Sequence, residues 1–274
     1  MNDDMTPLAD AVAGYRRQAG GPLAAAIARV ADETPEAAAA ALARDDAEAL
    51  RNAAEQRAAL RRRRYEDTRP KAYTWASYDN LIAQQDPEGR GTRWLQSGHK
   101  IAMLVGPSGH GKTHLAYAIG NDAVNRGLWV EAWPVLELLQ TLAPLPVHAR
   151  FDEVRSRRQE TTLDAVKACD LLILDDLGVE TGSGYVADRN IEQLTDILTA
   201  RDTDPNCRTI ITLNGGKTAH LATEAEQSKV RAEAMKGIST RYGARIETRL
   251  QADMVGIWVE GECFRQASTW DPFA

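Results

Sequence analysis

The sequence predicts an α/β fold, a parallel five-stranded sheet flanked by helices. Three observations carry that expectation. Five short apolar runs, Ile101–Val105, Leu128–Trp133, Leu171–Leu174, Ile210–Leu213 and Ile257–Val259, alternate with helix-compatible stretches, the order that builds a parallel sheet with crossover helices on both faces. Behind the first run stands Gly106-Pro-Ser-Gly-His-Gly-Lys-Thr113, which fits G-x-x-x-x-G-K-[ST] at every fixed position and leads into the helical run His114–Ile119. Asp175-Asp176 and Asn214 directly follow the third and fourth runs, and ligands in such sheets bind at the carboxyl ends of the strands.

Composition sets the outer limits. With 274 residues and 43% hydrophobic content, the chain can bury a core and form one α/β domain with an appendage, or two small domains. No apolar run approaches the ~18 residues of a membrane span and the N-terminus shows no signal-peptide core, so no membrane partner and a cytoplasmic location are expected. A net charge of −6 excludes a wholesale basic coat, so any nucleic-acid contact must be local. Cys169, Cys207 and Cys263 lie far apart, without metal or disulfide spacing, and read as core or surface thiols.

Residues 1–70 form an all-helical appendage, rich in Ala, Arg, Asp and Glu and nearly free of β-branched and aromatic residues. Thr6-Pro7, Gly21-Pro22 and Thr34-Pro35 each mark a helix start, because proline is tolerated in the first turn. The third opens a long helix from Pro35 to about Tyr65 that ends in Arg61-Arg-Arg-Arg64. Leu42, Leu50 and Leu60 are too sparse for a heptad seam, so this helix is either a solvated rod or a partner-binding arm. The arginine run reads as a wet surface, since Glu66 and Asp67 follow at once. Residues 71–274 make the nucleotide-binding domain. Its first stretch, Thr74–Leu81, restores aromatics and docks the chain onto that domain, with Trp75 and Tyr78 expected to pack rather than to stack on bases.

In the phosphate-binding loop, Gly106, Gly109 and Gly111 allow the backbone to turn its N–H groups inward, with Pro107, Ser108 and His110 between them. The following helix, opening on Lys112, Thr113 and His114, adds its positive end. Lys112 reaches the β- and γ-phosphates, and the Thr113 hydroxyl coordinates Mg²⁺. Further along, Val135–Leu142 reads as a helix, and Arg150, Arg155, Arg157 and Arg158 follow in a polar segment that is the first candidate for gripping a nucleic-acid strand.

After the third strand, Asp175 is assigned to Mg²⁺ and Asp176 to polarising the attacking water. Asn214 either orients the same water or serves as a turn residue before Gly215-Gly216. Arg241, Arg245 and Arg249 recur every four residues and share one helix face. That face is either an ordinary surface or one that supplies a guanidinium to a neighbouring subunit's γ-phosphate.

Gly-Pro-Ser-Gly-His-Gly-Lys-Thr-His-Leu-Ala, then Leu-Leu-Ile-Leu-Asp-Asp-Leu-Gly, then a strand ending in Asn, an arginine cluster and Gly261-Glu-Cys-Phe-Arg265 resemble one family. They look like the AAA+ ATPases of the DnaC/IstB group, the replicative helicase loaders and related transposition helper ATPases, over about residues 74–266. The resemblance implies a Mg²⁺-dependent, switch-like ATPase of low turnover, forming a homo-oligomer in the ATP state on DNA, single-stranded by expectation. It implies Asn214 as sensor 1, Arg245 or Arg249 as the arginine finger, and Arg265 as a sensor-2-like arginine on the nucleotide, with a minimal C-terminal lid. The N-terminal arm would hold a replicative DNA helicase or, in the transposition helpers, a transposase. Departures are Leu213 where the family has Ser, a longer stretch from Gly215 to Gly237, and Cys263-Phe264 for Ser-Tyr. A P-loop small-molecule kinase is the distant alternative, lacking any stretch for a lid and a second substrate pocket.

Overall fold

The computed structural model describes residues 35–86, 88–144, 153–178, 185–215, 229, 232–233, 236–240, 242–259 and 263–264. The helix starts expected at Thr6-Pro7 and Gly21-Pro22 therefore lie outside the described residues, as do Arg150, Arg241 and Arg265. The elements are α1 (Pro35–Thr68), α2 (Arg90–Trp94), β1 (Ile101–Gly106), α3 (Lys112–Asn125), β2 (Val130–Pro134), α4 (Val135–Thr141), α5 (Glu153–Ala168), β3 (Leu171–Leu177), α6 (Tyr185–Thr203), β4 (Arg208–Asn214), α7 (Ala244–Ala252) and β5 (Met254–Trp258). The chain divides into two compact units, Met1–Arg57 and Ala58–Ala274. No described helix is long and apolar enough to cross a membrane.

The five strands pair in the order β2-β3-β4-β1-β5, every pair parallel. Side chains alternate across the sheet, and the alternation splits the core in two. Ala102 and Leu104 of β1 join Ile173, Ile210 and Ile257 under Leu115, Tyr117 and Ile119 of α3. Met103 and Val105 join Leu172, Leu174 and Ile211 on the other face, under Leu138 of α4, Val166 of α5, Ile197 of α6 and Ile246 of α7. Strands buried on both faces read as unbroken apolar runs, which is why the sequence exposes them. Their ends are less visible. Gly127 (φ +85°) closes α3 and the Leu128 N–H returns to Ala123 O at 3.0 Å, so β2 begins two residues later than the apolar run.

The polar segment with Arg155, Arg157 and Arg158 forms the start of α5, whose buried residues Thr162, Ala165 and Val166 lie beyond the arginines. Of the arginine row, Arg245 and Arg249 lie on α7, which starts at Ala244 after Gly243 (φ +82°) at its N-cap. The arginine run at the end of α1 is not simply solvated. Arg64 Nε lies 3.0 Å from Glu131 Oε1, and the Arg61 guanidinium sits 4.1 Å from the centre of the Trp129 ring. Glu131, only 2% exposed, also accepts the indole N–H groups of Trp129 and Trp133. A carboxylate buried this deeply needs such partners, and its demand is invisible from the arginines' own neighbourhood.

Candidate nucleotide site

The loop after β1 is held open by the glycines the motif supplies. Gly109 and Gly111 adopt φ +85° and +95°, conformations that side chains with a Cβ rarely take. At Gly111 a Cβ would also collide with Gln85 Nε2, because the buried Gln85 lies against the loop. Gly106 is required by packing: a Cβ there would collide with Val259 O. Lys112, buried at the head of α3, donates to Pro107 O at 2.7 Å, so its ammonium lies over the loop it serves. His110 Nδ1 is 2.9 Å from Ser108 O.

Beside the loop, Thr113 Oγ1 donates to Asp175 Oδ1 at 3.0 Å. The same oxygen accepts the Thr212 hydroxyl at 2.6 Å. Asp175 is 8% exposed, and burial pushes its carboxyl above the ordinary range, opposed by the two hydroxyls and by Lys112. Sequence reading places Asp175 and Asp176 after the third strand; both in fact lie within β3, which runs to Leu177. The pairing with β4 is irregular there: Leu174 faces Ile211 and Leu177 faces Leu213, so β3 spends one residue more than its partner. Asp176 takes φ +57°, and its N–H donates to Thr212 Oγ1 at 2.8 Å. Thr212 is the residue that sequence reasoning misses. A buried threonine in an apolar strand gives no signal until its strand partner is known.

A cavity of about 480 Å³ opens over the loop, lined among others by Lys112, Thr113, Asp176 and Asn214. Asn214 closes β4 opposite Gly106 of β1, which sets it next to the loop. On the other side the cavity is walled by the segment ahead of β1, contributing Tyr73, Trp75, Asn80, Ile82 and Gln85. Trp75, contrary to expectation, does not pack inside. It is 61% exposed and its ring lies 4.8 Å from that of His114. Tyr78 does pack, half-buried, with its hydroxyl toward Asp122. His114 is buried, with Nε2 2.9 Å from Asn80 Oδ1, and burial lowers its pKa, so the neutral ring serves as an anchor. Phe264 returns to the loop, its N–H on Gly109 O at 2.9 Å.

The oxygen-only pair of Thr113 and Asp175 suits a hard cation such as Mg²⁺. Among the described residues no cluster of three or more His, Cys, Asp or Glu has metal-holding geometry.

Arg249 stands elsewhere. It lies 3.7 Å from Asp202 at the end of α6 and lines a recess with Lys100, Ile101 and Thr209, the residues that begin β1 and β4. It also borders the larger cavity, about 1040 Å³, between α6 and α7. Arg245 sits in the first turn of α7. Cys169 is a core thiol whose pKa burial pushes up to about 12, and Cys207 is buried too.

Residues 42–212 match the model of the family described as IstB-like ATP binding protein. A Sinorhizobium fredii protein described as a putative insertion sequence ATP-binding protein is 38% identical over 91 residues, 33% of this chain and 28% of that one. The replicative helicase loader DnaC of Buchnera aphidicola is 28% identical over 120 residues, 41% of this chain and 47% of the loader. The matches thus span less than half the length of either curated relative. Among solved structures, the DnaC helicase loader superposes with a TM-score of 0.52 at 22% identity, over 70% of this chain and 100% of that one. DnaI gives 0.51 at 21% identity, over 72% and 95%. The fold is that of the AAA+ P-loop proteins, and the chain belongs to the family of IstB-like ATP-binding proteins.

Proposed function

We propose that the protein hydrolyses ATP as an assembly switch and in doing so loads a replicative helicase onto DNA. The observation that carries the ATPase half is the convergence of Lys112, Thr113, Asp176 and Asn214 on one cavity at the strand ends, with Asp175 bonded to Thr113 beside them. Lys112 binds and orients the β- and γ-phosphates together with the loop N–H groups. Thr113 and Asp175 would hold Mg²⁺, which when bound neutralises charge on the phosphate oxygens. Asp176 takes a proton from the attacking water, and the Asn214 amide orients that water from the β4 side. Trp75 and Tyr73, at the mouth, offer faces for the purine.

Of the two arginine-finger candidates we favour Arg245. Strands in a parallel sheet all run one way, and α7 returns the chain from their carboxyl ends to the start of β5. Its first turn, with Arg245, is therefore nearer the level of the phosphates than Arg249, which is tied to Asp202 at the amino ends. The arginine-finger reading requires either arginine to serve a neighbouring copy, and so predicts ATP-dependent homo-oligomerisation.

The helicase as partner is supported by the likeness to DnaC in sequence and to DnaC and DnaI in fold. A second reading, an ATPase helper of a DNA transposase, is favoured by the family model and by the Sinorhizobium relative. Capture assays with the full chain against the host's replicative helicase and a neighbouring transposase separate the two. Helicase capture, with helicase loading onto single-stranded DNA, supports the first; transposase capture alone supports the second. For either, Lys112→Ala should weaken ATP binding by on the order of 100-fold, the loss of a charge-assisted phosphate contact. Unchanged binding would remove the loop from the chemistry.

A further inference from the structure

Two adjacent carboxylates cannot ordinarily serve one site from a strand, because consecutive side chains leave opposite faces of the sheet. On β3, Ile173 faces α3 while Leu172 and Leu174 face the other layer. By that alternation Asp175 points toward α3, where Thr113 receives it, and Asp176 would point away. Yet Asp176 lines the nucleotide cavity with Thr113. The irregularity in β3 resolves the conflict: Leu174 to Leu177 spans three steps against the two from Ile211 to Leu213. The extra residue is a bulge, the device by which strands re-aim a side chain next to a site.

A bulge leaves an amide without a ladder partner, and the Asp176 φ of +57° is costly for a residue with a Cβ. We infer that Thr212 is a positioning residue for hydrolysis, its hydroxyl pinning this bulge so that Asp175 and Asp176 reach the same nucleotide. The inference rests on the proposed ATPase reading. Thr212 stands opposite the bulge, between Ile211 and Leu213. Its Oγ1 accepts the Asp176 N–H at 2.8 Å and gives its own proton to Asp175 Oδ1 at 2.6 Å. A hydroxyl has one proton to give, so these bonds fix its rotation and tie the backbone of one aspartate to the carboxylate of the other. Thr212 is 0% exposed, so water cannot take over either bond. It is also absent from the cavity lining. Its effect reaches the nucleotide only through its two neighbours.

The test uses the full chain with Thr212→Val, which keeps the shape without the oxygen, and Thr212→Ser, which keeps the oxygen. Three quantities are read: affinity for a fluorescent ATP analogue in EDTA, kcat with Mg²⁺-ATP, and hydrogen exchange at the Asp176 amide. Thr212→Val should leave the Mg²⁺-free affinity within about twofold, lower kcat by about 10–100-fold and speed Asp176 exchange by about tenfold. Thr212→Ser should restore both to within about threefold. A valine variant with wild-type kcat and slow exchange overturns the inference, as does a loss that serine does not rescue. Should the valine variant not fold, Thr212→Ala against Thr212→Ser makes the same comparison. A wild-type chain that binds ATP but never hydrolyses it would overturn the ATPase reading, and Asp176 exchange then decides the role of Thr212 by itself.

Discussion

The two ends of the sheet are built on different terms. At the carboxyl ends, the loop after β1, Asp176 of β3 and Asn214 of β4 enclose one cavity, and Asp175 is bonded to the loop's Thr113. At the amino ends, Arg249 pairs with Asp202 at 3.7 Å, beside a wide recess between α6 and α7. β1 has six residues, which places these ends roughly 16 Å apart. The first region gathers polar groups of complementary chemistry around one point. The second holds a long, half-exposed ion pair and an open recess whose charged lining includes Glu192, Asp196 and Asp202 beside Arg249. Arg245 and Arg249 stand one turn apart on α7, Arg245 on the side of the carboxyl ends, and on the proposed reading only Arg245 serves a nucleotide. The contrast teaches that equal residues on one helix need not have equal roles, and it predicts that mutations in the two regions fail in different ways.

The largest contrast is between the two arginines of α7. Arg245→Ala should leave ATP affinity intact and reduce assembled-state turnover by on the order of 10³-fold, the lower range for a trans-acting arginine. Arg249→Ala should cost less than about 1 kcal/mol of stability, as a long, partly exposed ion pair does, and leave turnover near wild type. Steady-state hydrolysis against protein concentration checks both. If Arg249→Ala is the inactive variant, the finger belongs at the other end of α7. If mixing Arg245→Ala with Lys112→Ala restores no activity, the arginine acts within its own chain.

The same contrast explains what can be read from the sequence. The loop is local: eight consecutive residues carry their glycines, lysine and threonine in fixed order, and five of them line the cavity. The strands are legible because burial on both faces writes them as apolar runs. Asp175 and Asp176 are legible as chemistry but not as geometry, since the bulge depends on the spacing of β4, more than thirty residues on. Thr212 and Glu131 are silent for the same reason. Each is a polar residue inside an apolar strand whose partners, Asp176 and Arg64, are brought there by tertiary pairing. Trp75 misleads because an aromatic ahead of a domain usually packs into it, while here the cavity mouth claims it. Arg245 and Arg249 are legible from their spacing of four and do fall on one helix, though its start after Gly243, with a positive φ, is not.

A mid-sized effect tests how tightly the phosphate end is packed. Gly120 lies in α3, the helix that opens on the loop's Lys112. A Cβ on Gly120 would meet Tyr65 Oη at 2.7 Å and Ile173 Cδ1 at 2.8 Å. Tyr65, from the last turns of α1, is buried and bonded to Asn121 at 2.9 Å. Helix propensity alone favours alanine over glycine by up to about 1 kcal/mol. Overpacking should outweigh it, and Gly120→Ala should destabilise the larger unit by about 1–3 kcal/mol. Chemical denaturation checks this. A stabilised variant would mean that Tyr65 gives way freely, and that α3 is less rigidly held than its buried face implies.

The smallest effect concerns charge stored at the site. Burial raises the Asp175 pKa more than its hydroxyl donors lower it. An acid whose folded pKa is raised holds its proton better in the folded than in the unfolded chain. Stability is therefore lost as pH rises from the ordinary aspartate range through the raised value, and the full penalty applies above it. Asp175→Asn removes the charge and keeps an oxygen for Thr113 and Thr212. Without Mg²⁺ or nucleotide it should raise Tm at neutral pH by about 2–4 °C, equivalent to about 1 kcal/mol, with the gain vanishing below about pH 3.8. The same variant should lose Mg²⁺-dependent turnover, because an amide is a poor substitute for a carboxylate on a hard cation. Thermal scans across pH read the first effect and hydrolysis the second. A lower Tm at neutral pH would show that the two hydroxyls more than compensate for burial, and the phosphate end would then hold its carboxylate without cost, as the arginine end holds the half-exposed Asp202.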